Sequence, residues 1–220
     1  MPTPPSPSAI VFDLDGTLVD TVNDRIEAWA AAFEERSIPV TRTQLEPMIG
    51  MDGRMLAREV ARTAGQTPSD AEVEELERRS GELFDERNRD PRPLPGAREL
   101  LSRLDTLGIT WAIATSSRPG QVARSVAALD VAGQPRIVDG SRVEHAKPAP
   151  DLLLLAAREL GTDPRATWYV GDSTWDMQAS RAAGMPGIGV LAGAAVDADA
   201  LLRAGARHVV ATLDELEPGR

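Results

Sequence analysis

The segment Val11-Phe12-Asp13-Leu14-Asp15-Gly16-Thr17-Leu18 places two carboxylates two positions apart, just past the apolar run Ala9 to Phe12. Such a run has the character of a short buried parallel strand, and its abrupt end in polar residues is what a strand shows on reaching a functional loop. Beyond the strand's end the chain turns, helped by Gly16, and both carboxylates can face one pocket. Holding them together costs like-charge repulsion unless a cation sits between them, and an all-oxygen ligand set selects Mg²⁺. A solvated Asp-Gly turn uses the same residues, so the motif needs partners before it carries chemistry.

Candidate partners lie far along the chain. Lys147 is the only lysine among the 24 basic residues, and it stands directly before Pro148-Ala149-Pro150 at the start of a helical pattern. A chain that otherwise relies on Arg keeps here one compact ammonium, a group that a planar guanidinium does not replace. Thr115 closes the apolar stretch Trp111 to Ala114, and Gly171, Asp172 and Asp176 follow the strand candidate Thr167 to Val170. Taken singly, Thr115 also fits a strand-end turn, and the two acids also fit a helix N-terminus.

Together and in this order, the four motifs resemble those of the haloacid dehalogenase superfamily, in its phosphoglycolate phosphatase and β-phosphoglucomutase-like subgroup with a helical cap. The likeness runs from Ala9 onward: Asp13 to Thr17 matches the first motif, Thr115 the second, Lys147 the third, and Gly171, Asp172 and Asp176 the fourth. The resemblance implies that Asp13 attacks phosphorus to form an aspartyl phosphate, while Asp15 protonates the leaving alcohol and then activates water. It also implies Mg²⁺ held by the Asp13 carboxylate, Asp15 through its backbone carbonyl, and Asp172. Thr115, Ser116 and Lys147 would hold the other phosphoryl oxygens, and Asp176 would stand behind the metal, fixing its water or Lys147.

Family chemistries separate on single residues. A dehalogenase lacks the second aspartate, which is present here as Asp15; a phosphonoacetaldehyde hydrolase needs a cap lysine, and residues 19–93 contain none. Mutases of the β-phosphoglucomutase type carry a histidine twelve residues after the nucleophile, where this chain has Arg25, so a phosphatase ranks above a mutase, with Arg25 able to gate Asp15. Arg54, in the turn Gly50-Met51-Asp52-Gly53-Arg54, is the candidate for the substrate's remote charge. The glycine usual before the motif lysine is Ala146, a departure that removes no functional group. The expected reaction is hydrolysis of a small phosphorylated metabolite such as phosphoglycolate or a sugar phosphate. A non-catalytic phosphate-ligand binding protein is a distant alternative, disfavoured because both aspartates are kept.

The elements that must position these residues alternate. Strand candidates at 109–115, 136–138, 167–170, 187–191 and 207–211 are separated by helical patterns, which predicts an α/β fold with a Rossmann-like parallel sheet. One helical face carries Leu100, Leu101, Leu104 and Leu107 and stops at Gly108, and a further helical pattern from Leu152 to Leu160 stops at Gly161. Residues 19–93 show no strand signal. Val22, Ile26, Trp29 and Phe33 mark one helical face, Leu56 and Val60 another, and Ser69 with Glu72 forms a capping box opening a third helix. This predicts an all-helical cap over 19–93, a core domain from 9–18 and 94–220, and a disordered leader over the Pro- and Ser-rich residues 1–8. Trp29 and Phe33 read as cap core, and the run Glu72 to Arg79 as a solvated helix face.

Composition sets the wider bounds. A net charge of −10 works against nucleic-acid binding, no apolar run approaches a membrane span, and the absence of cysteine excludes disulfides and thiolate metal sites. A cytoplasmic, preferentially monomeric enzyme with a small-molecule partner is the expectation.

Overall fold

A computed structural model describes residues 6–219. The first strand, β1 (Ala9–Phe12), is four apolar residues buried on both faces. The chain then enters four helices: α1 (Val22–Glu35), α2 (Arg42–Leu45), α3 (Gly53–Thr63) and α4 (Asp70–Arg87). It returns through α5 (Ala97–Leu107), β2 (Thr110–Ala114), α6 (Pro119–Ala128), β3 (Arg136–Val138), α7 (Asp151–Leu160), β4 (Thr167–Gly171), α8 (Thr174–Ala183), β5 (Gly187–Val190), α9 (Ala198–Ala204) and β6 (His208–Val210).

All six strands are parallel, in the order β3-β2-β1-β4-β5-β6. The alternation of apolar runs and helical patterns foretold this arrangement. β1 is central, flanked by β2 and β4, and the chain winds outward on one side of it before crossing to the other. That reversal makes the C-terminal edge of β2, β1 and β4 the crevice where an open α/β sheet binds its ligand. The sheet buries a core on each face: Ile10, Phe12, Leu100 and Trp168 lie on one side, Val11, Leu153, Ala156 and Tyr169 on the other. Leu107 departs from the expected apolar face of α5. It is 51% exposed, because it lies one turn beyond Leu104 where the helix is already ending at Gly108.

The helices between Val22 and Arg87 share a core of their own, in which Ile26, Trp29, Phe33, Leu56, Val60, Val73 and Leu76 meet. Two helix starts in this stretch, Thr41 with Gln44 and Ser69 with Glu72, close a reciprocal capping box, and Asp52 caps α3 by accepting from the Arg54 and Met55 N–H groups. The segments leading in and out run side by side. Asp20 donates its N–H to the Arg92 carbonyl and Leu94 its N–H to that of Leu18, both at 2.9 Å. At the chain start, Pro7 is buried and Ser8 donates its N–H to the Ala166 carbonyl, while residues 1–5 of the expected leader lie outside the described residues. No described helix is long and apolar enough to cross a membrane.

Candidate active site

The site forms where three strands stop. Asp13 follows β1 and is fixed at the sheet edge by its N–H bond to the Val170 carbonyl at 2.8 Å. The next residues wind tightly: the Leu14 carbonyl accepts from Leu18 and Val19, and Gly16 takes φ +79°. A side chain there would clash as well as strain, since a Cβ on Gly16 would lie 2.3 Å from Asp172 Oδ2. The turn thus presses its backbone against the Asp172 carboxylate, whose Oδ1 accepts from Thr17 Oγ1 at 2.8 Å. Thr115, at the end of β2, donates its N–H to the Val138 carbonyl, and its Oγ1 accepts from the Ser117 N–H at 3.1 Å.

Lys147 is brought to the same point and is 1% exposed. Its Nζ lies 2.8 Å from Asp13 Oδ1, as an ion pair rather than an aligned hydrogen bond, and donates to Asp176 Oδ1 at 2.8 Å. Tyr169 donates its hydroxyl to the same Asp176 oxygen at 2.8 Å, and Ser173 donates both its N–H and its Oγ to Asp176 Oδ2. Asp176 is therefore fully engaged by the protein. Among the described residues, nothing donates to Asp172 Oδ2 or to Asp13 Oδ2.

Charge accounting shows what this cluster lacks. Asp13, Asp172 and Asp176 each bring a carboxylate oxygen within 4.8 Å of the others, all three are buried, and one ammonium faces them. Burial pushes the Asp13 carboxyl up to about 7 despite the Lys147 charge, and it drives Asp172 well above the carboxylate range, with Asp176 and Asp13 adding to it. Lys147 answers by moving above its ordinary value, because Asp13 and Asp176 together outweigh its own desolvation. Three buried carboxylates and one ammonium leave two negative charges uncompensated, so a divalent cation fits the donor set. Its ligands would be the unpartnered oxygens of Asp13 and Asp172, with Asp176 committed to Lys147, Tyr169 and Ser173.

Asp15 points to a different set of partners. Its Oδ2 accepts from Arg25 at 2.9 Å and Ser117 Oγ at 2.7 Å, and its Oδ1 from Thr21 at 2.7 Å. Burial pushes its carboxyl up, but the Arg25 charge and these hydrogen bonds outweigh burial and hold it below the ordinary range. Arg25 reaches over from α1 with its guanidinium 3.5 Å above the Phe84 ring, and also donates to Ser117 and Gln121.

The helical unit closes over this edge through the loop after α2. Gly50, at φ +94°, passes so near Ser173 that a Cβ would lie 2.5 Å from its Oγ. Asp52 donates its N–H to the Lys147 carbonyl at 3.0 Å, Ser116 Oγ donates to the Gly50 carbonyl at 3.4 Å, and Trp175 Nε1 donates to the Pro47 carbonyl at 2.8 Å.

Asp13, Asp15, Thr115, Ser116, Lys147 and Arg25 thus line one cavity, and Asp172 and Asp176 stand against Asp13 and Lys147. Arg54 is not brought there. It is held outward by Asp52 and Glu74, and half-exposed. Glu77 departs from the expected solvated face: it lines the cavity and pairs with Arg118 at 2.6 Å, because α4 crosses α6 at that point. Ser117, Gln121 and Ser80 also line the cavity unannounced by any motif, although Ser117 lies only two residues beyond Thr115. Trp29 serves both the helical core and the cavity wall.

Residues 10–190 match the family model of the haloacid dehalogenase-like hydrolases. A phosphoglycolate phosphatase of Xanthomonas campestris is 31% identical over 198 residues, covering 85% of this chain and 84% of that protein. An N-acetylmuramic acid 6-phosphate phosphatase of Pseudomonas aeruginosa is 31% identical over 180 residues, covering 80% and 78%. Among solved structures, a hydrolase from Pseudomonas syringae superposes with a TM-score of 0.89 at 33% identity, covering 93% of this chain and 94% of that one.

Proposed function

The chain belongs to the haloacid dehalogenase-like hydrolase family, and on that premise we propose that it is a Mg²⁺-dependent phosphatase of small phosphorylated metabolites, with Asp13 as nucleophile. The observation that carries this reading is the Asp13 carboxylate itself. It lies buried at the central strand's end with one oxygen on Lys147 and the other unpartnered toward the cavity, and Asp15 lies two residues on.

An Asp13 oxygen attacks phosphorus, the bond from phosphorus to the ester oxygen breaks, and an aspartyl phosphate forms. Lys147 and Thr115 hold phosphoryl oxygens, and Lys147 is itself kept in place by Asp176. Asp15 gives its proton to the departing oxygen and later takes one from the water that displaces Asp13. Its present partners suit the second role, since Arg25, Thr21 and Ser117 keep it ionised. The first role follows when a leaving oxygen takes the place of Arg25: without the guanidinium, the desolvation that Asp15 already suffers raises its proton affinity. When bound at Asp13 and Asp172, Mg²⁺ neutralises charge on the phosphoryl oxygens.

The cavity holds about 70 Å³, room for a phosphoryl group and a short alcohol at about 10–15 Å³ per water-sized group. The test is phosphate release from a panel of small phosphate esters with and without Mg²⁺, coupled to mass spectrometry of the acid-quenched enzyme. Turnover that requires the metal and a phosphoryl adduct on the peptide containing Asp13 are expected. Metal-independent turnover, or an adduct elsewhere, would contradict the mechanism.

A further inference from the structure

The chain has one lysine and one tyrosine, Lys147 and Tyr169, and the fold brings both onto a single oxygen atom. Asp176 Oδ1 accepts from Lys147 Nζ and from the Tyr169 hydroxyl, each at 2.8 Å. Tyr169 comes from the middle of β4, where it lies in register with Val11 of β1, and both it and Asp176 are fully buried. The core on its side of the sheet is rich in small residues such as Ala112, Ala114, Ala156 and Ala179. Among the described residues of that core, Tyr169 is the one aromatic. A phenylalanine would fill the same space. What tyrosine adds is a hydroxyl, whose burial is costly unless a partner offsets it.

The partner it has is a crowded one. A carboxylate offers about four lone-pair positions, two on each oxygen. On Asp176 all are taken: Oδ2 accepts from the N–H and Oγ of Ser173, and Oδ1 from Lys147 and Tyr169. Lys147 is thereby limited to one position on Asp176. The Tyr169 oxygen also lies 3.4 Å from Lys147 Nζ and 3.4 Å from the Ala114 carbonyl, so its single proton goes to the nearer and charged acceptor. Burial, reinforced by the Asp176 and Asp13 charges, pushes the hydroxyl well above its ordinary value, and it stays a donor.

This limit matters once Asp13 reacts. On forming the aspartyl phosphate Asp13 gives up its charge, and Lys147 loses the carboxylate that faces it at 2.8 Å. An ammonium left with one carboxylate turns onto it with a second N–H wherever a position is open. Tyr169 closes that position. The other N–H groups of Lys147 then remain free for the cavity that Lys147 and Asp13 both line, where the phosphoryl oxygens are held.

Resting on the phosphatase reading above, we propose that Tyr169 is a positioning residue for phosphoryl transfer: by filling the second site on Asp176 Oδ1, its hydroxyl aims the Lys147 ammonium at the phosphoryl group. It acts through Lys147 and leaves the Asp13 and Asp172 oxygens that would hold the metal as they are. Losing the hydroxyl therefore weakens phosphoryl binding and transfer without altering the demand for Mg²⁺.

The experiment compares the wild-type chain with Tyr169→Phe, Lys147→Met and the double variant. It measures kcat/KM for the ester that the wild type hydrolyses fastest, the Mg²⁺ concentration for half-maximal activity, and the Kd of inorganic phosphate by calorimetry with Mg²⁺. Tyr169→Phe should lower kcat/KM by about tenfold or more and raise the phosphate Kd by about fivefold or more, the scale of one hydrogen bond to a charged group. Its Mg²⁺ requirement should stay within about twofold of wild type, and on the Lys147→Met background the same substitution should move the phosphate Kd by less than about twofold, because no ammonium is left to aim. Wild-type kcat/KM in Tyr169→Phe, an equal loss of phosphate affinity with and without Lys147, or a raised Mg²⁺ requirement would overturn the proposal and leave the phosphatase reading intact. Unfolding of Tyr169→Phe would do the same, by assigning the hydroxyl to the stability of the fold. Failure of the wild-type chain to release phosphate from any ester with Mg²⁺ would overturn the reading beneath it and the proposal with it.

Discussion

Asp13→Asn should abolish turnover and, in metal-free protein, stabilise the fold. The substitution is isosteric. It leaves Lys147 paired with Asp176 at 2.8 Å, and it reduces the buried cluster from three carboxylates to two. The wild-type Asp13 carboxyl is pushed from an ordinary 3.8 up to about 7 by burial, with the Lys147 attraction already included. Each tenfold change in proton affinity is about 1.4 kcal/mol, so keeping Asp13 ionised at pH 8 costs the metal-free fold about 4 kcal/mol, a cost that an amide does not bear.

The sign follows from which state holds the proton. Between pH 4 and 7 the folded chain keeps a proton on Asp13 that the unfolded chain has lost, so wild-type stability falls as pH rises through this window and levels off above it. Asparagine does not titrate. The advantage of the variant is therefore near zero at pH 4, about 2 kcal/mol at pH 5 and full above pH 7. For a chain of this length that corresponds to a rise in Tm of about 10 °C at pH 8. Thermal unfolding of both proteins in chelator at pH 5 and pH 8 measures it, and added Mg²⁺ should close the gap by stabilising the wild type more. A variant less stable than wild type at pH 8, or a gap that does not grow with pH, would refute the charge accounting.

Three further outcomes follow from the same geometry. Gly16→Ala should raise the Mg²⁺ concentration needed for half-maximal activity by tenfold or more, because its Cβ would displace the Asp172 carboxylate from 2.3 Å away; an unchanged metal requirement would show that the turn yields freely. Lys147→Arg should lose at least a hundredfold in kcat/KM, since a planar guanidinium does not fit a 1% exposed slot shaped to an ammonium between Asp13 and Asp176. Trp175→Phe removes the hydrogen bond to the Pro47 carbonyl and should cost about 1 kcal/mol in urea unfolding, with faster amide exchange confined to the loop after α2.

The core half of the site was legible because each of its residues is tied to an event the sequence displays. An apolar run ends, and the next polar residue must lie at the sheet edge. Asp13, Thr115 and Asp172 all obey this, and parallel pairing of β2, β1 and β4 then brings them together without further information. Lys147 was visible for a compositional reason, as the sole ammonium in a chain that otherwise uses guanidinium. The partners that tune these groups were less visible. Tyr169 lies inside β4 and reads as core, yet its hydroxyl helps to fix Asp176; Ser173 reads as a helix cap and also binds that carboxylate.

The wall opposite was hidden for a different reason. Periodicity says which face of a helix turns inward but not what it meets, and α4 turns one stripe toward two environments. Val73 and Leu76 enter the helical core, whereas Glu77, Ser80 and Gly81 meet the core domain's α6 and the cavity. In a run of acids and arginines Glu77 looks like any solvated residue, and only the crossing of α4 over α6 distinguishes it from Glu74 and Glu75. The close approach depends on Gly81, where a Cβ would lie 2.3 Å from Gln121 Nε2. The residues proposed to transfer the phosphoryl group sit on strand ends, whose positions the sheet dictates, while the wall facing them includes a helix whose placement depends on side chains packed from a separate core. Chemistry can then be kept while selectivity drifts, which is the pattern expected when relatives equally similar to this chain carry the names of different substrates.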